Sequence, residues 1–297
     1  MTQIKSPAVP SIWRGRKRKN VSLVNGKRSL FTRIMIVGSG LLIACLILFA
    51  IAPEWIAPYS PTEMNTTVIL KEPSGSYWLG TDYFGRDIFS LIVFGSRDAL
   101  LIGISAVLLG GSVGAIIGAV AGYAGRMIDS ILMRLIDTLM TIPGILLALT
   151  ISAVLGPSKF NLIIAVSVSG IPGFARVIRG QVLAIKSRPF IEAARANGTS
   201  HFSILFRHIA PHAFSSLLIM GTMGVGSAIL MGSGLSFLGL GSINEIPDWG
   251  GLLSQGRSYI SVAWWIATFP GLAITLLVVS INLLGDELQA AVGPRKG

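Results

Sequence analysis

The sequence is short of charge, of acidic side chains and of cysteine, and each shortage removes a class of protein. Charged residues make up 12% of the 297 positions, where a soluble domain carries about 25%. That is too little to solvate a globular surface, so an ordinary soluble domain is excluded. The single cysteine, Cys45, cannot close an intrachain disulfide and says nothing about compartment. Only 13 residues are acidic, and the one carboxylate at the edge of an apolar stretch in mid-chain, Asp137, lies three residues after Arg134, where a local ion pair is expected. Ion-coupled secondary transport places carboxylates in mid-membrane. That class is therefore disfavoured, and survives only as a transporter built on backbone sites. A phosphate loop is missing too: Gly26-Lys27 is followed by Arg28 rather than Ser or Thr, and Val21 stands where glycine is required, so the chain binds no ATP through a Walker motif of its own.

What is present is apolar. Hydrophobic residues make up 52% of the chain, with 35 glycines and a mean hydropathy of +0.72, a composition suited to packed membrane helices whose small residues let backbones approach. Crossing about 30 Å of hydrocarbon takes about 20 helical residues. Stretches 34–54, 99–122, 138–155, 213–244 and 258–285 qualify, and 160–175 reaches spanning length if Arg176 and Arg179 snorkel to the interface. An all-α membrane protein with six transmembrane helices is expected. The stretch 213–244 is too long for one untilted span, and its glycine-rich end, 232–241, should leave the membrane. The expected organisation is a basic cytoplasmic tail at 1–33, a first helix at 34–54 and an extracytoplasmic segment at 55–98. A five-helix core at 99–285 follows, carrying a cytoplasmic loop at 187–211, and a cytoplasmic tail at 286–297 closes the chain.

The net charge of +11, from 24 Lys+Arg against 13 Asp+Glu, divides unevenly between the loops: 19 basic residues fall on one side and 5 on the other. This is the positive-inside pattern, and it places both termini in the cytoplasm. The run Arg14–Lys19 adjoins the first span, where orientation and attraction to anionic lipid explain it, so no nucleic-acid partner is expected. Ala50 and Ala52 form a small-x-small site, but a cut there would leave Pro53 at the new terminus, and the apolar run exceeds the usual 7–15 residues of a signal peptide. An uncleaved anchor is expected. Trp55 and the Trp264/Trp265 pair are placed for an interfacial aromatic belt.

Gly110, Gly114, Gly118 and Gly122 recur every four residues, on one face of a helix. Such a ladder admits a neighbour at close range, either within this chain or in a partner subunit. His201, His208 and His212 share one stretch with no carboxylate or cysteine at ligand spacing, so imidazoles facing a partner, rather than a metal site, are expected. In the loop at 187–211, Pro189 suits a first helical turn, Glu192 the positive end of the helix dipole, and Gly198 a stop. A second short helix is expected from Ser200 to His208, ending at Pro211. The two helices form a cytoplasmic knob rather than a span.

This loop resembles the "EAA" motif of permease subunits of ATP-binding-cassette importers. Glu192, Ala193, Ala194, Gly198 and Pro211 match in register, whereas His208 and Ala210 stand where the pattern has Ile and Leu. The stretch Leu79–Ser90, with Gly80, Thr81, Asp82, Gly85, Arg86 and Asp87, resembles the signature of the dipeptide/oligopeptide/nickel branch. Ser236–Gly241, Pro247–Gly250, Phe269–Gly271 and Asn282–Asp286 resemble its C-type permease, and the likeness covers 55–297, departing at Gly293-Pro294-Arg295. The resemblance implies a type I importer fold in a bacterial cytoplasmic (inner) membrane. It also implies a second, different permease, ATPase subunits that bind ATP and Mg and receive the knob, and an extracytoplasmic solute-binding protein. The chain itself would be a transport subunit without catalysis or bound cofactor. The solute would be a peptide, or on the same scaffold a nickel chelate, glutathione or an opine. Glu192 to Pro211, His208 included, would form the ATPase-coupling surface. Gly80 to Asp87 is expected to be a capped turn in which Asp82 and Asp87 pair with Arg86, rather than a solute contact.

Overall fold

A computed structural model describes residues 21–241 and 246–292. Among them the only extended pairing is an isolated bridge between Thr81 and Asp87; the rest is helix, turn and loop. Helix α1 spans Val21–Ile51, and a single turn, α2, covers Pro53–Ile56. An irregular segment with a 3-10 turn at Thr66–Val68 leads to α3, Ile88–Ala124. At 37 residues α3 is about 55 Å long, well beyond the hydrocarbon thickness. Then come α4 (Arg126–Met140), α5 (Gly144–Leu155) and α6 (Lys159–Lys186). The knob elements α7 (Pro189–Ala196) and α8 (His201–Ser203) follow, with a π-turn at Ile204–Ile209 that runs without a break into α9 (Ala210–Leu235). A second π-turn at Ser236–Leu240, α10 (Trp249–Arg257) and α11 (Trp265–Val292) complete the order.

Five helices are long and apolar enough to cross a bilayer, and the bent pair α4/α5 makes six if it counts as one span. That third span departs from its expected form. Pro143 disfavours helix at Ile142, so the chain breaks between α4 and α5 and turns through 86°. α5 alone, at 12 residues, covers only about 18 Å. The fourth helix is longer than 160–175: α6 has 28 residues, and Pro172 is carried inside it. Arg176 and Arg179 pair with α4. Arg179 meets Asp129 at 2.5 and 2.7 Å, and Arg176 meets Asp137 at 2.7 Å, so Asp137 bonds across helices rather than to Arg134. The fifth helix ends at a kink where Gly239 takes φ +86°. The sixth begins at Trp265, later than expected, because the chain turns where Val262 and Ala263 N–H both bond the Tyr259 carbonyl; before that turn residues 249–257 form a separate helix capped by Asp248, whose Oδ1 accepts from Gly251 N–H at 2.8 Å.

The four ladder glycines are buried against α6. A methyl at Gly110 would lie 2.5 Å from the Ser167 carbonyl, one at Gly114 2.7 Å from that of Ile171, and one at Gly122 2.9 Å from Val182 Cβ. A methyl at Gly118 would run into the Ala175 carbonyl. Of the two uses of the ladder, the geometry is that of packing within the chain: α3 and α6 meet backbone to backbone.

The bundle has two chemically distinct ends. At one, Asp98 of α3 holds Lys159 of α6 at 2.5 Å, Trp249 Nε1 donates to the Ile92 carbonyl at 2.9 Å, and Trp265 Nε1 donates to the Thr81 carbonyl at 3.0 Å. At the other, the C-terminal ends of α3 and α6 meet the knob. Trp55 is 91% exposed and Trp264 51%, whereas Trp265 is buried at 2% and serves the interior rather than a surface belt.

Candidate coupling site

The knob is built from an apolar underside and a mixed outer face. Ile191, Ile204 and Ile209 are fully buried against Ile178, Val182, Ile185 and Ala213. With Ile191 turned inward, Glu192, Ala193, Arg195 and Ala196 face outward, and Ala194 is half-buried. Pro189 opens α7 and Glu192 sits in its first turn. At its end Asn197 N–H donates to the Ala193 carbonyl at 3.0 Å and Thr199 N–H to the Ala194 carbonyl at 3.1 Å, across Gly198 with φ +77°. This is a left-handed helix stop. A methyl at Gly198 would touch nothing within 4 Å, so glycine is favoured there by backbone conformation and not by crowding inside the chain. Ser200 caps the second arm, accepting from Ser203 N–H at 3.3 Å. Pro211 does not end the helix. The chain widens into the π-turn ahead of it, so that Ala210 N–H bonds back to Leu205, and α9 continues past the residue without an N–H.

Three aromatic residues of the knob are exposed, and no motif announces them: Phe190 (39% exposed), Phe202 (72%) and Phe206 (57%). The Phe202 and Phe206 rings lie 4.3 Å apart, one helical turn from each other, and that spacing is the signal available in sequence. Two histidines turn out to be engaged within the chain. His201 Nδ1 lies 2.8 Å from Tyr123 Oη, and the His212 ring lies 5.8 Å from that of Phe190. His208 is half-buried in the π-turn.

The motif at 80–87 forms a brace at the opposite end. Asp82 Oδ1 accepts from the N–H groups of Phe84 and Arg86, each at 2.8 Å, and Oδ2 takes Arg86 Nε at 2.7 Å. Asp82 is 0% exposed and Arg86 3%. Asp87 caps α3, its Oδ2 accepting from both N–H and Oγ of Ser90 at 2.8 and 2.7 Å. Burial pushes the Asp87 carboxyl above the usual carboxylate range, against the hydrogen bonds from Ser90 and Phe89. Thr81 Oγ1 bonds the Val68 carbonyl and accepts from Lys71 N–H, while its own carbonyl takes Trp265 Nε1. A methyl at Gly85 would fall on the Asn65 carbonyl, and Gly80 likewise takes positive φ, +78°, against Trp265. Asp82, Arg86 and Thr81 Oγ1 bond within the segment itself, while the Asp87 cap ties it to α3 and the Thr81 carbonyl ties it to α11.

A multi-span helical protein braced at one end and carrying a two-armed knob at the other has the build of a membrane permease subunit. Residues 114–297 match the family described as binding-protein-dependent transport system inner membrane component, and the chain belongs to that family. It is 42% identical over 260 residues to the glutathione transport system permease protein GsiD of Pectobacterium atrosepticum, covering 87% of this chain and 86% of that one. It is 40% identical to the dipeptide transport system permease protein DppC of Alkalihalophilus pseudofirmus (89% and 86% covered) and 35% identical to the probable D,D-dipeptide permease DdpC of Escherichia coli K12 (88% of each). The fold is also that of the MetNI methionine ABC transporter solved in inward-facing conformations, with TM-score 0.58 and 20% identity over 70% of this chain and 98% of that one. The chain is thus a multi-pass permease subunit of an ATP-binding-cassette importer, a transport component rather than an enzyme.

Proposed function

We propose that this chain is one of two different permeases of an importer in a bacterial inner membrane, with both termini cytoplasmic, that takes up di- or oligopeptides or glutathione. An extracytoplasmic solute-binding protein delivers the solute at the braced end. ATPase subunits, which bind ATP and Mg, grip the knob at the other. The observation that carries the reading is the knob's two-faced construction: fully buried isoleucines fix it to α6 and α9, while Glu192, Ala193 and the Phe202 ring are exposed. A rigid projection of that kind passes on displacement. When ATP closes the ATPase dimer, the knobs of the two permeases are drawn together and the helices behind them open the pathway outward.

Peptide and glutathione readings are supported about equally by relatives at 40% and 42% identity. Both solutes carry a free ammonium, amide links and a free carboxylate. The two are separated by co-purifying the binding protein and identifying what it holds. The coupling role is tested in the reconstituted complex with Glu192→Lys and Gly198→Asp. Asp tolerates left-handed φ and the site is open, so the turn survives while a new charge meets the partner. Membrane insertion is expected to persist and ATP hydrolysis to run without uptake; normal uptake by either variant refutes the role.

A further inference from the structure

Tyr123, next to last in α3, is held by two other elements. Its carbonyl, one of those a helix end leaves without an internal partner, accepts from Lys186 Nζ at 2.8 Å, and that ammonium also lies 5.3 Å from the Tyr123 ring centre. Lys186 is the last residue of α6, so one contact ties the ends of the α3/α6 pair. The Tyr123 hydroxyl meets His201 Nδ1 at 2.8 Å, with the two rings 5.9 Å apart and inclined at 70°. His201 opens the second arm of the knob.

The two arms are therefore attached by different means. α7 continues from α6 through a short turn and rests on buried Ile191. The second arm also rests on buried isoleucines, Ile204 and Ile209, but it is continuous in helix with α9 rather than with α6. Between His201 and α9 lies the π-turn at Ile204–Ile209, the one stretch of this path in which the ordinary helical ladder is interrupted. We infer that Tyr123 and His201 are positioning residues that pin the second arm to the α3/α6 pair, so that the knob moves as one body with that pair and the bend relative to α9 falls at the π-turn. The inference rests on the proposed ATPase coupling and adds the route by which displacement leaves the knob. α3 is the helix that benefits most, because its far end carries the Asp87 cap, the Ser90 hydroxyl that accepts from Tyr59 N–H at 3.2 Å, and the Ile92 carbonyl bonded by Trp249. Without the pin, α3 receives the motion through its contacts with α6 and the apolar packing of Ala115 and Ala119 on the knob's isoleucine cluster.

The test uses the complete importer in proteoliposomes, reading solute taken up per ATP hydrolysed and the stimulation of hydrolysis by loaded binding protein. Tyr123→Phe keeps the ring and removes the hydroxyl. Uptake per ATP is expected to fall about fivefold, the factor carried by one neutral hydrogen bond, with basal hydrolysis and complex yield unchanged. An unchanged ratio overturns the pin. At His201 two variants divide a hydrogen-bonding role from a packing one. His201→Gln keeps an acceptor and is expected to retain coupling, and His201→Phe keeps the ring and is expected to lose it; the reverse order overturns the inference. If Glu192→Lys couples normally, the ATPase reading itself has failed. If Glu192→Lys is uncoupled and Tyr123→Phe is normal, only the pin has.

Discussion

Gly114→Ala probes the contact that makes α3 and α6 one body, and Gly111→Ala, one turn away on the same helix, supplies its control. The new methyl at position 114 would lie 2.6 Å from Phe174 Cβ, 2.7 Å from the Ile171 carbonyl and 3.1 Å from Ala175 N. Unstrained carbon to oxygen contacts sit at about 3.3 Å or more, and carbon to carbon contacts at about 3.5–4.0 Å. The deficit is about 0.6 Å against a backbone carbonyl and about 1 Å against a side-chain root, neither of which has a rotamer to turn away. Relief requires the helices to part over the whole ladder. At position 111 the nearest atom is a Phe174 ring carbon at 3.5 Å, an ordinary contact. Both substitutions gain the same helix propensity, about 1 kcal/mol, so the difference between the variants isolates the clash. Overpacking of this kind costs about 1–3 kcal/mol, and at roughly 2–4 °C per kcal/mol Gly114→Ala should melt several degrees below Gly111→Ala. The measurement is the apparent Tm of the detergent-solubilised complex, followed by the fraction surviving as a single species on size exclusion. Equal Tm values for the two variants refute the close approach of α3 and α6.

The brace at 80–87 yields two further expectations. Asp82→Asn keeps an oxygen for the two N–H groups but removes the anion facing the buried Arg86 guanidinium, and should destabilise the complex by about 3 kcal/mol or more; Asp82→Asn combined with Arg86→Gln should recover part of the loss, read by thermal melting. Trp265→Phe removes the donor to the Thr81 carbonyl, worth about 0.5–1.5 kcal/mol, and should increase protease cutting within 57–79 while leaving α6 and the knob protected. Between the two ion pairs on α4, Asp129→Asn should cost more than Asp137→Asn. The former meets Arg179 twice and is 20% exposed, whereas the latter is 59% exposed and belongs with surface pairs worth about 0–1 kcal/mol. Melting of the two single variants tests the order.

Composition and loop charge are sums over many residues, so they report the membrane class and the expected orientation even where single boundaries err. The knob was legible because its punctuation is local: Pro189 can begin a helix, and Gly198 can take φ +77°. The misplacements share a different cause. Pro143 breaks a span that hydropathy alone joins, and Pro211 fails to break a helix because a π-turn absorbs it, so the same residue type has opposite outcomes that only the surrounding hydrogen bonds decide. Asp137 next to Arg134 looks like a local pair until α6 brings Arg176 to 2.7 Å. Trp265 looks like a belt residue until its indole N–H is seen to reach Thr81, 184 positions away in sequence. Contacts of that range leave no periodicity to read. The bond between Tyr123 and His201, across 78 positions, was hidden for the same reason.

The two ends of the molecule differ in what their polar groups are used for, and this difference bears on how the subunit transmits motion. At the braced end they are turned inward: Asp82 and Arg86 are buried, Asp87 and Asp248 cap helices, and the Trp249 and Trp265 indoles bond backbone carbonyls. At the knob end Glu192, Arg195 and Arg207 face outward beside exposed phenylalanines, and the buried contacts beneath them are apolar. A hydrogen-bonded brace resists deformation because its groups lose their partners when displaced. The outward groups of the knob have no partners among the described residues to lose, and on the proposed coupling they would meet the ATPase. Between the ends runs α3, joined to α6 through the glycine ladder, with neither proline nor π-turn in its 37 residues. On the proposed coupling, a continuous helix fixed to a brace at one end and to the knob at the other would convert displacement of the knob into tilt of the brace. Any softening of the α3/α6 contact should therefore reduce solute moved per ATP before it reduces hydrolysis itself, and Gly114→Ala, assayed for uptake as well as for melting, is expected to show that order. Loss of hydrolysis first would mean that motion leaves the knob by α9 alone.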